Sequence, residues 1–184
     1  KELYAGARSY GRSEKVKFSP YALRATLSYA IAPQHHLRLG LMHSATTPGN
    51  ENLFLNPQYN NRIADNLKMV SRSAAEINYN LSTTNVDCMI TAYAILQSGE
   101  RQIFRAYDDL SATYCDVDIT DVATLRYGVE AAARVKLSRN LSADASLAVG
   151  RYVYNNNPTV TLYSDIDNSI ISSHSRSYIS GCRV

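Results

Sequence analysis

Tyr21-Ala22-Leu23-Arg24-Ala25-Thr26-Leu27-Ser28-Tyr29-Ala30-Ile31 is the stretch that decides the fold class. Its odd positions carry Tyr, Leu, Ala, Leu, Tyr and Ile, while its even positions carry Ala, Arg, Thr, Ser and Ala. Successive side chains of a strand point to opposite faces, so a period of two reads as a strand with one apolar wall and one mixed wall. Pro33-Gln34-His35 predicts a tight turn. Beyond it Leu37, Leu39 and Leu41 alternate with Arg38, Gly40 and Met42, which completes a hairpin with a matched apolar side.

The same pattern recurs twice. Ala75, Ile77, Tyr79 and Leu81 alternate with Ala74, Glu76, Asn78 and Asn80. After a turn at Ser82-Thr83-Thr84-Asn85 come Val86, Cys88, Ile90, Ala92, Ala94 and Leu96, with Asp87, Met89, Thr91, Tyr93 and Ile95 opposite. The third hairpin runs through Leu125, Tyr127, Val129, Ala131, Ala133, Val135 and Leu137, turns at Ser138-Arg139-Asn140, and returns as Leu141, Ala143, Ala145, Leu147 and Val149. In these six strands the apolar wall holds no charge, whereas the other wall holds Arg24, Arg38, Glu76, Asp87, Arg126, Glu130, Arg134, Lys136 and Asp144. A soluble sandwich core tolerates stray charges near strand ends. A lysine or arginine facing lipid at mid-bilayer costs about 2–4 kcal/mol, so the clean wall fits lipid better.

Composition narrows the class. The chain has 184 residues with 19 basic and 16 acidic side chains, and a net charge of +3 argues against a nucleic-acid binder. Its longest apolar run, Ala92 to Leu96, is five residues, far short of a membrane-crossing helix. Tyrosine is abundant at 14 and tryptophan is absent, a strand-rich composition. Tyr29 and Tyr79 fall just before short turns, and Tyr21 and Tyr127 lie about 8 to 10 residues farther along their strands, which spaces two aromatic girdles roughly 20 Å apart. The first residues, Lys1-Glu2-Leu3, are no export leader, and Cys182-Arg183-Val184 ends a polar stretch, so the chain reads as a fragment.

Connection lengths agree. Three short turns (33–35, 82–85 and 138–140) alternate with long polar connections (about 44–72, 97–121 and 155 onward), the pattern of an outer-membrane barrel. Ile103–Tyr107, Thr113–Val117 and Thr159–Tyr163 are expected to extend strands beyond the membrane. The fold expected is therefore all-β, an antiparallel meander of six or more long strands forming an open slice of a large transmembrane barrel. A soluble β-sandwich or propeller that adheres through long loops is the alternative. Propeller blades need four short strands with glycine punctuation, which two long strands per period do not supply.

The stretch Asn52-Leu53-Phe54-Leu55-Asn56-Pro57-Gln58-Tyr59-Asn60-Asn61-Arg62, followed by Asn66-Leu67-Lys68 and the alternating Ser73 to Leu81, resembles TonB-dependent outer-membrane receptors of the Bacteroidetes type. Leu67-Lys68 and Glu76 match that family's step into a strand with an inward glutamate, although Met69-Val70 stands where the family has Pro-Glu. Ala106-Tyr107-Asp108-Asp109-Leu110 and Tyr127-Gly128-Val129-Glu130 extend the resemblance over most of residues 10 to 165. It implies that residues 1–184 are a slice from the later half of a 22-stranded barrel, without the plug domain and final strands. It also implies energised uptake of a bulky nutrient (an iron chelate, a cobalamin or a glycan). The implied partners are outer-membrane lipid, the TonB complex acting through the plug, and the nutrient itself, in the outer membrane of a Gram-negative bacterium. Such a slice has two open edges and is not expected to be stable alone.

Catalytic chemistry is not expected. No Ser/His/Asp set, phosphate loop or Cys-x-x-Cys is visible, so an outer-membrane phospholipase or protease has no nucleophile and base to point to. No cofactor is implied. His35 and His36 are neighbours on a turn and make a poor metal pair, His43 and His174 read as solvated loop residues, and Asp165-Ile166-Asp167-Asn168 lacks the glycine and distal glutamate of a calcium loop. Asp108, Asp109, Asp116 and Asp118 sit in a long connection and are the ligand-binding candidates on an otherwise solvated surface. Cys88 belongs to the apolar wall. Cys115 and Cys182 fall on the same side of the membrane in this topology, which makes their pairing an expectation in an exported protein.

Overall fold

The computed structural model describes residues 13–56, 63–109, 112–164 and 169–175, without the side chains of 174 and 175. Eight strands form one antiparallel sheet: β1 (Tyr21–Ala32), β2 (His35–Thr46), β3 (Val70–Ser82), β4 (Val86–Asp108), β5 (Thr113–Ser138), β6 (Leu141–Tyr154), β7 (Thr159–Ser164) and β8 (Ile170–Ser175). Strands β1 to β5 follow one another in order. Strand β5 then carries β6 along residues 124–138 and β7 along residues 115–120, with β8 outside β7. The all-β antiparallel meander is thus as the alternation requires, and the sheet is open. The regular helix among the described residues is a single 3₁₀ turn, Asn50–Asn52.

Register carries the alternation across the sheet. Leu27, Leu39, Ile77, Ala92, Val129 and Val149 lie on one rung, and Tyr29, Leu37, Tyr79, Ile90, Ala131 and Leu147 on another of the same face. The opposite face carries Thr26, Gly40, Glu76, Tyr93, Gly128 and Gly150 on one rung and Ser28, Arg38, Asn78, Thr91, Glu130 and Ala148 on the next. Arg24, Glu76 and Glu130 therefore share a face from which Leu27, Ile77 and Val129 are excluded. The first charge with apolar-face parity is Arg151, opposite Tyr127 near the upper end of edge strand β6.

The apolar face lies open. Leu27, Ile77 and Val129 are 67%, 45% and 47% exposed, with no second layer over them among the described residues. On the middle rungs of β3 and β4 Ile77, Ile90, Ala94 and Leu96 are exposed, while Glu76, Asn78, Thr91 and Tyr93 on the polar face are half-buried; on β5 the charged Arg126, Glu130 and Arg134 are exposed. A sheet that curls toward one face crowds the side chains on that face and spreads those on the other. On the middle rungs of β3 and β4 the polar face is the crowded one. Close contacts there need glycine: a Cβ at Gly128 falls 2.6 Å from the Val149 carbonyl oxygen and 3.0 Å from the Tyr93 hydroxyl.

The connections differ from the sequence reading in two respects. The 97–121 segment is mostly strand, since β4 runs on to Asp108 and β5 starts at Thr113; it includes the extensions expected at 103–107 and 113–117. Likewise β7 covers Thr159–Ser164 as expected. Polar residues enter these strands because the ladder needs only backbone pairing and one covered face, and here residues 47–56 and 63–69 supply cover. The first hairpin turn is tighter than 33–35, because His35 already pairs with Ala32.

Gly99 marks where the strands leave the meander. Its φ is +76°, in the left-handed region that glycine tolerates, and the β4–β5 register shifts on either side of Glu100. A Cβ there lies 2.9 Å from the Met69 carbonyl oxygen. Gly99→Ala is expected to cost about 1–3 kcal/mol, read as a lowered urea midpoint.

Candidate functional site

The β4–β5 extension and the described loop segments 47–56 and 63–69 enclose an elaborate polar arrangement. Arg101, on β4, donates from Nε to Asp118 Oδ1 at 2.7 Å and from Nη2 to Asp118 Oδ2, a two-pronged ion pair in which both side chains are more than nine-tenths buried. Its third nitrogen, Nη1, donates to the Asp65 carbonyl at 2.6 Å. One guanidinium thus ties two strands to the loop. Beside it Asn56 Nδ2 donates to Asp116 Oδ2 at 2.8 Å, and Leu55 and Ala64 of the loop pack with Tyr163 of β7.

A cavity of about 540 Å³ lies against this arrangement, bordered by Lys68, Asp65, Asp121, Thr161 and Tyr163. Lys68 Nζ reaches Asp121 at 2.9 Å, so the charges at its border are largely paired. Asp121 itself has φ of 62°, and its carbonyl accepts from Asn156 Nδ2 while Asn156 Oδ1 accepts the Ala123 amide at 2.9 Å. The break between β6 and β7 is stitched to the irregular point of β5 by that asparagine.

The four candidate aspartates are not one solvated cluster. Asp116 and Asp118 are buried on β5 and anchor the loop through Asn56 and Arg101, which corrects the expectation of an open surface at those two positions. Asp108 ends β4, and Asp109 is exposed at the hairpin tip. Alternation marked these strands but not the cover, because the partner atoms come from a loop more than 35 residues away in sequence.

A second arrangement occupies the polar face of the meander. Arg24, Arg72, Glu76, Tyr93, Arg126 and Glu130 border a recess of about 500 Å³. Arg126 lies over the Tyr152 ring at 4.6 Å, a cation–π contact that aims the guanidinium along the sheet. Lower down, Arg134 Nε donates to Asp144 at 2.6 Å.

The histidines are more ordered than the sequence suggested. His35 opens β2 and lies 2.7 Å from the Tyr79 hydroxyl, and His43 stands on β2 between Tyr21 and Ser73 rather than in a loop. Strict alternation includes both positions on the apolar-face parity, which was the signal available. Among the described residues no group of three or more His, Cys, Asp or Glu is placed to hold a metal. Cys88 is half-buried on the apolar face. Cys115 is buried, and its expected partner Cys182 lies outside the described residues, as do Asp165–Asn168.

The fold and sites define an open antiparallel β-meander with an exposed apolar face and a strand extension locked to one loop. No protein-family model, curated protein or solved structure matches the chain.

Two consequences are measurable. Asp118→Asn leaves the Arg101 charge buried without its partner and is expected to cost about 3–5 kcal/mol, while Arg101→Met with Asp118→Leu costs much less; limited proteolysis within 47–69 and the urea midpoint report both. Burial, then the carboxylates of Asp108 and Asp116, push the Cys115 thiol above its ordinary value. Because its folded-state pKa is raised, the stability linked to it is intact below the ordinary thiol pKa and lost as pH climbs through the raised value. Native Cys115 should alkylate far more slowly at pH 8 than in the urea-unfolded chain, read by peptide mass spectrometry.

Proposed function

We propose that this chain is part of the wall of a transmembrane β-barrel, a TonB-dependent receptor of the Bacteroidetes type in the outer membrane of a Gram-negative bacterium. Its work is energised import of a bulky nutrient, an iron chelate, a cobalamin or a glycan. The observation that carries this reading is the open apolar face: from β1 to β5 its meander rungs hold no charge, and no second layer covers it among the described residues. In water the open face leaves Leu23, Leu27, Tyr29, Leu147 and Val149 unburied together, each 64–67% exposed, which costs about 25 cal/mol for every Å² left wet. Acyl chains remove that cost.

The dimensions agree with a bilayer. On β5 apolar-face residues run from Leu125 to Leu137, twelve residue steps or about 40 Å along the strand. At 45° of tilt that is about 28 Å of height, close to the roughly 25 Å apolar band of outer-membrane barrels. Hydrogen-bonded tyrosine–histidine pairs border the band on β2, Tyr21 with His43 above and Tyr79 with His35 below, where amphipathic rings meet the interfaces. Short turns at 33–34, 83–85 and 139–140 close the lower end, and loop 47–69 with the extended β4–β5 hairpin stands at the upper end, where the nutrient arrives.

In this reading Arg24, Glu76, Arg126 and Glu130 line a watery lumen and meet the plug domain, through which the TonB complex acts. The lipid of the outer membrane meets Leu27, Ile77 and Val129. Nucleic acid is not a partner, and no bond is made or broken in the substrate.

Spin labels on cysteines replacing Leu27 and Val129, in the full-length protein with its native cysteines changed to serine, are expected to collide with oxygen and to be shielded from a water-soluble nickel chelate in vesicles. Labels replacing Ser28 and Glu130 are expected to show the opposite preference. Aqueous accessibility at both Leu27 and Val129 overturns the reading.

A further inference from the structure

Tyr21, His43 and Ser73 form a hydrogen-bonded chain across three adjacent strands, with Tyr21 Oη 3.0 Å from His43 Nε2 and Ser73 Oγ 2.9 Å from His43 Nδ1. His43 and Ser73 are direct partners in the β2–β3 ladder, and Tyr21 sits one rung farther up the same face. The protons can be counted. Two hydroxyls and a neutral imidazole supply three, and the two bonds use two. If Nδ1 bears the ring proton, Tyr21 donates to Nε2 and the Ser73 O–H stays free; if Nε2 bears it, the Tyr21 O–H stays free. Either way one O–H is available to an outside acceptor.

His43 and Ser73 line a recess of about 550 Å³ bordered also by Leu23, Leu41, Ala75, Ala94, Leu96 and Leu125, with Arg24 in its lining, and Tyr21 is bonded to His43 beside it. Register explains its shape. Ala75 and Ala94 pair across β3 and β4, with Leu41 beyond them on β2 and Tyr127 on β5. Two methyl groups make a furrow floor between larger side chains, and the furrow ends at a single hydroxyl donor. Its chemistry is that of an amphiphile: a hydrocarbon slot, then one donor for an uncharged oxygen.

We infer that this recess binds one acyl lipid, the chain lying over Ala75 and Ala94 and an ester carbonyl oxygen of the head accepting the free O–H. The inference rests on reading this face as lipid-facing. A serine beside a histidine also suggests acyl transfer, but the backbone amides around Ser73 are engaged in the β2–β3 and β3–β4 ladders and offer no donors to a tetrahedral oxyanion, so the site holds its lipid without cleaving it.

The test uses the full-length protein, delipidated in detergent and titrated with phosphatidylethanolamine, with retained lipid counted by native mass spectrometry. One molecule is expected to survive where bulk lipid is stripped. Tyr21→Phe/His43→Leu/Ser73→Ala removes the donor and is expected to weaken retention on the order of two- to tenfold. Ala94→Leu keeps the donor but fills the furrow, and is expected to abolish retention, while Ser28→Ala on the other face changes nothing. Retention equal to the parent's in the triple variant or in Ala94→Leu, or no retained lipid in the parent protein, overturns the site. The labels at Leu27 and Val129 report lipid exposure of the whole face independently, so a failed site is distinguishable from a failed membrane reading.

Discussion

A slip of one residue in any ladder of this sheet exchanges its two faces, and everything else in the molecule depends on that slip not happening. Register pairs Leu27 with Leu39, Leu39 with Ile77, and so across to Val149; moved by one, the same ladder places Arg24, Glu76, Arg126 and Glu130 among them. Short turns hold the register at one end. His35 pairs with Ala32 across two residues, and the Thr83 hydroxyl accepts the Val86 amide at 2.9 Å, so neither hairpin has slack. Close approaches hold it in the middle. Tyr93 lies over Gly128 and Gly150, a fit that any neighbouring rung with a side chain on that face refuses.

Above the meander the constraint changes in kind. Strands β4 and β5 continue there with β7 and β8 beside β5, a small sheet that by itself leaves one face uncovered. Residues 47–56 and 63–69 supply the missing cover, and Arg101 joins loop to sheet by bonding Asp118 and the Asp65 carbonyl at once. A buried ion pair is a modest source of net stability, since both charges lose their water. Its directional forks make it a good source of geometry. Loop and sheet are therefore held in one arrangement, and a nutrient reaching the proposed receptor meets a shaped surface.

The same alternation makes the two ends of the apolar band different from its middle. Leucine, isoleucine, valine and alanine fill the interior rungs, and hydrogen-bonded tyrosine and histidine stand at its borders on β2. An amphipathic ring with a bonded polar tip satisfies both media at an interface, and a charge in the middle satisfies neither. Arg151 fits this gradient, because it lies at the upper rim of an edge strand, where a long stem reaches polar surroundings.

Legibility in the sequence followed the range of the interaction. Strand identity, the three hairpins, the two faces and the extensions at 103–107, 113–117 and 159–163 were all readable from period two, because face and pairing follow locally from backbone geometry. The role of Asp116 and Asp118 was not readable, since Asn56 and Arg101 reach them only through the docking of a loop, and a carboxylate on a polar strand looks solvated until its cover is known. Nor was the ordering of His43, whose partners lie 22 and 30 residues away on other strands. The sequence by itself determined which side of each strand is greasy, because a strand has only two sides. Tertiary structure alone decided which polar groups are buried and paired, because burial depends on what arrives from elsewhere in the chain.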